Sequence, residues 1–260
     1  SAFRASSNSP RYPVTAGTKD LQEAIRNWAI THLGASGDFD VLPVIGSKEL
    51  VAWLPTILES KSVIYPDVAY PTYLVGALLA QSQPISVGID ADTWPSADFA
   101  WINTPGNPTG RVHSEAELRG AIKWARANDS VLVCDECYID FGDKTTPTSL
   151  LKFTDSDNSN ILVVHSLSKR SNLAGYRSGS VLGDANLISD IVSLRKHSGM
   201  LVPTPIQMAT IAALGDDSHV QIQRELYAKR REILHNALVS AGFTVEHSQA
   251  GLYLWATNGT

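Results

Sequence analysis

The chain has 260 residues, 43% of them hydrophobic and 18% charged, with a net charge of -5. That is the composition of an ordinary globular chain, large enough for one domain or one and a half. The acidic balance offers no general basic surface to nucleic acid and no polybasic run to an anionic membrane, and no apolar stretch approaches the roughly 18 residues that cross a bilayer.

In chain order, Ser1 to Pro13 holds two arginines and several serines without an apolar core, so it does not read as a signal peptide. Thr18 to Leu33 reads as an amphipathic helix with Leu21, Ile25, Trp28 and Ala29 at helical spacing. Ser47, after Gly46 and before Lys48-Glu49-Leu50, reads as a helix N-cap. Ser62 to Tyr65 is a short strand, and Pro71 suits the first turn of a helix running to about Gln81. Phe99 to Ile102 is a buried strand that ends in the turn Asn103-Thr104-Pro105-Gly106-Asn107-Pro108-Thr109-Gly110. A helix over Ser114 to Ala127 follows, then apolar strands at Val131 to Cys134, Ile161 to Val164 and Gly179 to Leu182. Asp216 to Ser240 reads as one long charged helix, with strands of a smaller layer at Phe243 to Val245 and Leu252 to Trp255. Apolar strands bounded by helices indicate an α/β fold with a mainly parallel sheet covered on both faces. Functional groups then gather at the carboxyl ends of the strands, where Asn107, Asp135 and Lys169 fall.

Cys134 and Cys137 form a C-x-x-C pair. Asp135 and Glu136 between them raise thiol pKa rather than lower it, and no second Cys/His pair completes a zinc site. Two small reduced thiols at a strand end, in a cytoplasmic protein without a metal site, is the simpler reading.

Ser166-Leu167-Ser168-Lys169 carries the chemistry, with Arg177 eight residues beyond the lysine. Alone, such a lysine is usually a surface residue. A desolvated lysine captures an aldehyde, and hydroxyls beside an arginine bind phosphate. Aldehyde capture beside a phosphate site points to pyridoxal phosphate (PLP). That cofactor also requires a carboxylate facing its ring nitrogen, donors to its phenolic oxygen and an aromatic neighbour. Asp135 at a strand end suits the first role, or it caps the next turn. Tyr138 and Asn107 suit the second, or they are a core tyrosine and a turn-forming asparagine. Tyr70 suits the third, and Ser47 at a helix start can serve the phosphate.

Taken together, Asn107 to Gly110 (Asn-Pro-Thr-Gly), Asp135 to Tyr138 (Asp-Glu-Cys-Tyr), Ser166 to Lys169 and Arg177 resemble the class I/II aminotransferases of the aspartate aminotransferase fold. The resemblance implies PLP fold type I, with a large domain over 1–225 and a linking helix and incomplete small α+β domain over 226–260. Lys169 would hold the cofactor covalently and move a proton at the substrate Cα. Asp135 would face the ring nitrogen, and Tyr138 and Asn107 the phenolic oxygen. Ser166, Ser168, Arg177, Ser47 and Lys48 would hold the phosphate, Tyr70 would stack, and Tyr12 would reach the phosphate of the neighbouring subunit in a homodimer.

Segments 41–50, 69–73, 165–177, 199–205 and 251–257 are further similar to bacterial succinyldiaminopimelate aminotransferases of lysine biosynthesis. This implies exchange of an amino group between glutamate and N-succinyl-2-amino-6-oxopimelate, amino and keto acids being the partners. Family members extend further at both ends. A glycine-containing substrate strand and the arginine for the substrate α-carboxylate are therefore expected outside the chain, and Leu252 to Trp255 would need such a segment for cover. A PLP-dependent C–S lyase, another aminotransferase on this fold and a cofactor-sensing regulator are the alternatives; the last would bring a basic helix-turn-helix that this chain does not show.

Overall fold

The computed structural model describes residues 1–142 and 146–259. Its helices are α1 (Ala2–Ala5), α2 (Lys19–Trp28), α3 (Ser47–Ile57), α4 (Thr72–Leu79), α5 (Glu115–Asn128), α6 (Leu167–Arg170), α7 (Ala185–Ser198), α8 (Thr204–Leu214) and α9 (Ser218–Ser240). Its strands are β1 (Asp40–Val44), β2 (Ser62–Pro66), β3 (Gln83–Val87), β4 (Phe99–Asn103), β5 (Val131–Asp135), β6 (Ile161–Ser166), β7 (Gly179–Gly183), β8 (Thr244–Glu246) and β9 (Trp255–Thr257).

Seven strands form one sheet in the order β1-β7-β6-β5-β4-β2-β3, and β8 pairs with β9 separately. The centre from β3 to β6 is parallel, while β7 runs antiparallel to both β6 and β1. Side chains alternate across the pleat, so each strand supplies two cores. Ala100, Ile102, Leu132, Cys134, Ile161 and Val163 pack beneath Leu21, Ile25 and Trp28 of α2 and Leu118 and Ile122 of α5. Phe99, Trp101, Val133, Leu162 and Val164 pack on the other face against α3, α4 and α7 through Leu50, Leu54, Tyr73 and Ile191. Each large side chain buried this way contributes about 1.5–3 kcal/mol of transfer free energy, which fixes the strand ends that bear the polar groups.

Several local expectations are adjusted. Thr18 caps α2 through the Leu21 N–H, but the α-helix ends at Trp28 and a π turn over Ala29–Leu33 finishes it before left-handed Gly34. Gly46, not Ser47, is the N-cap of α3, and Ser47 is its first residue. Leu252 to Trp255 is not a strand: pairing begins at Trp255, and β8 lies one residue past the expected start. Strands β1 and β3 and helices α7 and α8 lack a strong signal. The two strands lie at the sheet edges and carry Pro43 and Pro84, a placement that spares ladder hydrogen bonds but breaks the sequence pattern. Ser114 lies just outside α5 as its N-cap and forms a full capping box with Glu117, and the helix runs one residue past the expected end.

Candidate active site

A cavity of about 500 Å³ opens where β4, β5 and β6 end. Ten of the eleven candidate residues line it: Ser47, Lys48, Tyr70, Asn107, Asp135, Tyr138, Ser166, Ser168, Lys169 and Arg177. Tyr12 does not. It lies before α2 with 94% of its surface exposed.

Asp135 is the last residue of β5, held by its parallel register with Asn103 of β4 and Val164 of β6. Only 6% of it is exposed. Its Oδ2 accepts from the Tyr73 hydroxyl at 3.0 Å and its Oδ1 from the Cys137 N–H at 3.1 Å. Burial pushes its pKa up; the Cys137 and Tyr73 bonds and the charge of His165 pull against that. Tyr73 is itself locked by stacking on Trp101 at 5.1 Å and by an edge contact with Tyr70 at 5.7 Å. Behind the site, the next residue Glu136 is fully buried. It accepts from Ser149 and the Leu150 N–H and faces His165 Nε2 at 3.1 Å. The acid that ends the strand is therefore fixed on every side but the cavity.

Asn103, missed by the sequence reading, ties two loops together. Its amide donates to the Asp135 carbonyl at 2.8 Å, and its carbonyl oxygen accepts the Asn107 N–H at 2.6 Å. Tyr73, Cys137, Ala174 and Tyr253 are the other lining groups without an assigned role. Tyr73 stands three residues after Tyr70, in the first turn of α4, and that short spacing was the available signal. Cys134 is buried and Cys137 half-buried; both are free. Both thiols are pushed well up, by burial first and then by Glu136 and Asp135 respectively, so the acidic neighbours act as expected but second to desolvation.

The opposite end of the cavity is built from turns. Gly46 has φ of 72°, and a Cβ there would lie 2.3 Å from Arg177 Nη2. Glycine thus leaves room for a guanidinium over the start of α3, where unpaired N–H groups suit an anion. Arg177, with φ of 55°, donates to the Ala174 carbonyl at 2.8 Å and more weakly to Ile45 at 3.4 Å. The first turn of α3 is braced from outside by Glu49, which accepts two bonds from fully buried Arg195 at 2.7 and 3.0 Å. Ser166 caps the single turn of α6 by accepting the Ser168 N–H at 3.1 Å, and its hydroxyl donates to Ser168 Oγ at 2.8 Å. Lys169 is the third residue of that turn, half-buried on the cavity wall. Lys48 Nζ lies 5.5 Å from the Tyr70 ring centre.

The family model described as "Aminotransferase class I and II" matches residues 2–259. The chain belongs to the class I and II aminotransferases. It is 47% identical to a probable aminotransferase of Mycobacterium tuberculosis, over 99% of this chain and 64% of that protein. It is also 47% identical to the 4-dedimethylamino-4-oxo-anhydrotetracycline transaminase of Streptomyces rimosus, over 99% of this chain and 74% of the relative. A probable N-succinyldiaminopimelate aminotransferase from Thermus thermophilus superposes with a TM-score of 0.88 at 24% identity, covering all of this chain and 76% of that one, which establishes the shared fold. The chain thus spans just under two thirds of the mycobacterial relative.

The aminotransferase family and its fold are PLP-dependent. The donor set suits that cofactor. A desolvated carboxylate whose pKa is raised would gain from a cation facing it, and the glycine-lined arginine turn has the donors a phosphate would need. Among the described residues, no group of three or more His, Cys, Asp and Glu could hold a metal ion, and no helix is long and apolar enough to cross a membrane.

Proposed function

We propose that this chain forms the cofactor-binding part of a PLP-dependent transaminase with Lys169 as its central residue. The observation that carries the reading is Asp135: a carboxylate held almost out of water by Tyr73 and the Cys137 N–H, and open to the cavity that Lys169 lines. When bound, PLP supplies an aldehyde for a primary amine and a ring that accepts electron density. Asp135 would hold a proton on the ring nitrogen, and Tyr138 and Asn107 would donate to the phenolic oxygen. Ser47, Lys48, Ser166, Ser168 and Arg177 would bind the phosphate, and Tyr70 would pack on the ring. Lys169 Nζ would anchor the cofactor and then serve as the base that takes the substrate Cα proton and returns it. A half-buried amine on a short helical turn can make both movements without leaving the cavity.

We assign Tyr12 to the phosphate of a partner subunit in a homodimer, which its exposure permits. The large domain is taken to end near residue 225, with α9 leading into the smaller layer.

For the substrate, the reading is amino transfer from glutamate to N-succinyl-2-amino-6-oxopimelate, supported by the similarity of segments 41–50, 165–177 and 251–257. A second reading rests on the Streptomyces relative at 47% identity, whose name gives a polycyclic ketone as acceptor. Single-turnover assays with glutamate-loaded protein separate them. Formation of succinyldiaminopimelate with no reaction of the tetracycline ketone supports the first, and the converse supports the second. Release of ammonia and a keto acid from a thioether amino acid would replace both with a lyase.

A further inference from the structure

The segment Ser248 to Tyr253 lies outside the seven-stranded sheet, yet it is pinned to both loops that deliver the groups proposed for the phenolic oxygen. The Gln249 and Ala250 N–H groups both donate to the Gly110 carbonyl, at 3.1 and 3.0 Å, at the end of the turn that carries Asn107. The Gly251 N–H donates to Phe141 at 2.9 Å, and Gly142 bridges Ala250, just past Tyr138. The Val112 N–H donates to Gln249 Oε1 at 3.0 Å, and Arg231 of α9 holds the Ser248 carbonyl at 3.0 Å. Ala250 is fully buried beneath this seam. Gly110, with φ of 69°, has no space for a side chain, because a Cβ would lie 2.6 Å from the Ala250 carbonyl oxygen. His247 and Ser248 both take positive φ, 61° and 54°, a costly bend for two residues in succession that is kept only when its surroundings enforce it. The strap ends by placing Tyr253 on the wall of the active-site cavity, with its ring 6.2 Å from that of Tyr138 in an edge arrangement.

We propose that Tyr253 is a positioning residue of the cofactor site, brought by the strap to orient the Tyr138 hydroxyl. The inference rests on the PLP reading above. The two rings meet edge-on along one wall of the cavity, and the orienting contact proposed is a hydrogen bond between their hydroxyls. With Tyr253 as donor, the Tyr138 proton stays available to the cavity, and a phenol that accepts one bond is a stronger donor of the next. Burial first, and then Tyr253, hold the Tyr138 phenol well above its ordinary range, so it stays protonated. The other titratable groups around it are Asp135, Cys137, Lys169, Lys48 and Arg177. Tyr253 is 46% exposed, so the strap and not burial sets its place.

The test is the pH titration of the absorbance of bound PLP, with the cofactor first mapped to Lys169 in the unmodified protein. Tyr253→Phe keeps the ring and loses the hydroxyl; the midpoint is expected to rise by about half a unit, against about one unit for Tyr138→Phe. Gly110→Ala leaves Tyr253 intact but displaces the strap, and is expected to move the midpoint in the same direction. If Tyr253→Phe titrates like the unmodified protein, or Gly110→Ala leaves the midpoint in place while retaining its circular dichroism, Tyr253 has no positioning role. Absence of any cofactor adduct on Lys169 in the unmodified protein instead defeats the PLP reading itself, so the two failures are distinct.

Discussion

The two ends of the cavity are made differently. At the end proposed for the cofactor ring, Asp135 is buried, terminates a central strand and has both carboxylate oxygens engaged by Tyr73 and the Cys137 N–H. At the end proposed for its phosphate, Ser47, Lys48, Ser168 and Arg177 are half-buried or exposed and sit on turns and helix starts. The difference follows the charge each end must meet. A single ring proton is governed by one carboxylate, whose influence is largest where water is excluded. A phosphate carries charge spread over several oxygens and is served by many donors, each contributing modestly. One end therefore depends on a single residue, the other on a set.

Substitutions that separate the ends should show this, beginning with the largest effect. Asp135→Asn is expected to slow amino transfer by about 100-fold or more, because it removes the charge proposed to keep the ring nitrogen protonated. The measurement is the rate of the half-reaction at saturating cofactor; a loss no greater than that of Tyr138→Phe would overturn the assigned roles. The same variant has a second signature in the protein without cofactor. The folded-state pKa of Asp135 lies above its unfolded value of about 3.9, so the folded state binds the proton more tightly. Its stability contribution is then most favourable at low pH and declines as pH rises from near 4 through the raised folded pKa. Thermal melts of the cofactor-free proteins should show the unmodified chain losing ground to Asp135→Asn over that rise.

At the other end, Arg177→Ala is expected to weaken PLP affinity by about 10- to 100-fold while leaving the half-reaction rate at saturation little changed. Affinity should fall with added salt in the unmodified protein and less steeply in the variant, since these charges are open to solvent. Ser168→Ala, removing one neutral donor of the set, should cost only about 3- to 10-fold in affinity. If Arg177→Ala lowered the saturated rate as much as Asp135→Asn, the contrast between the ends would not hold.

What the sequence made legible follows the same division. The ring-end and phosphate-end residues are local motifs at fixed spacing, such as Asp135 with Tyr138 and Lys169 with Arg177, on strands whose apolar runs announce a parallel sheet. Ten candidates met in one cavity for that reason. Groups that arrive by tertiary packing were silent. Asn103 reads as the end of a strand until its two loop contacts are seen. Arg195 braces α3 from a helix whose weak apolar pattern gave no warning. Tyr253 fell within an expected strand, and only the Gly110 and Phe141 contacts turn its segment toward the cavity. Tyr12 marks the other limit, since its proposed contact requires a second chain.

The central claim is the role of Lys169, and it can be tested directly by borohydride reduction of the PLP-loaded protein followed by peptide mapping. The expected result is one reduced cofactor adduct, on Lys169, and loss of the bound-cofactor absorbance band in Lys169→Ala. An adduct on another lysine, or none, would contradict it.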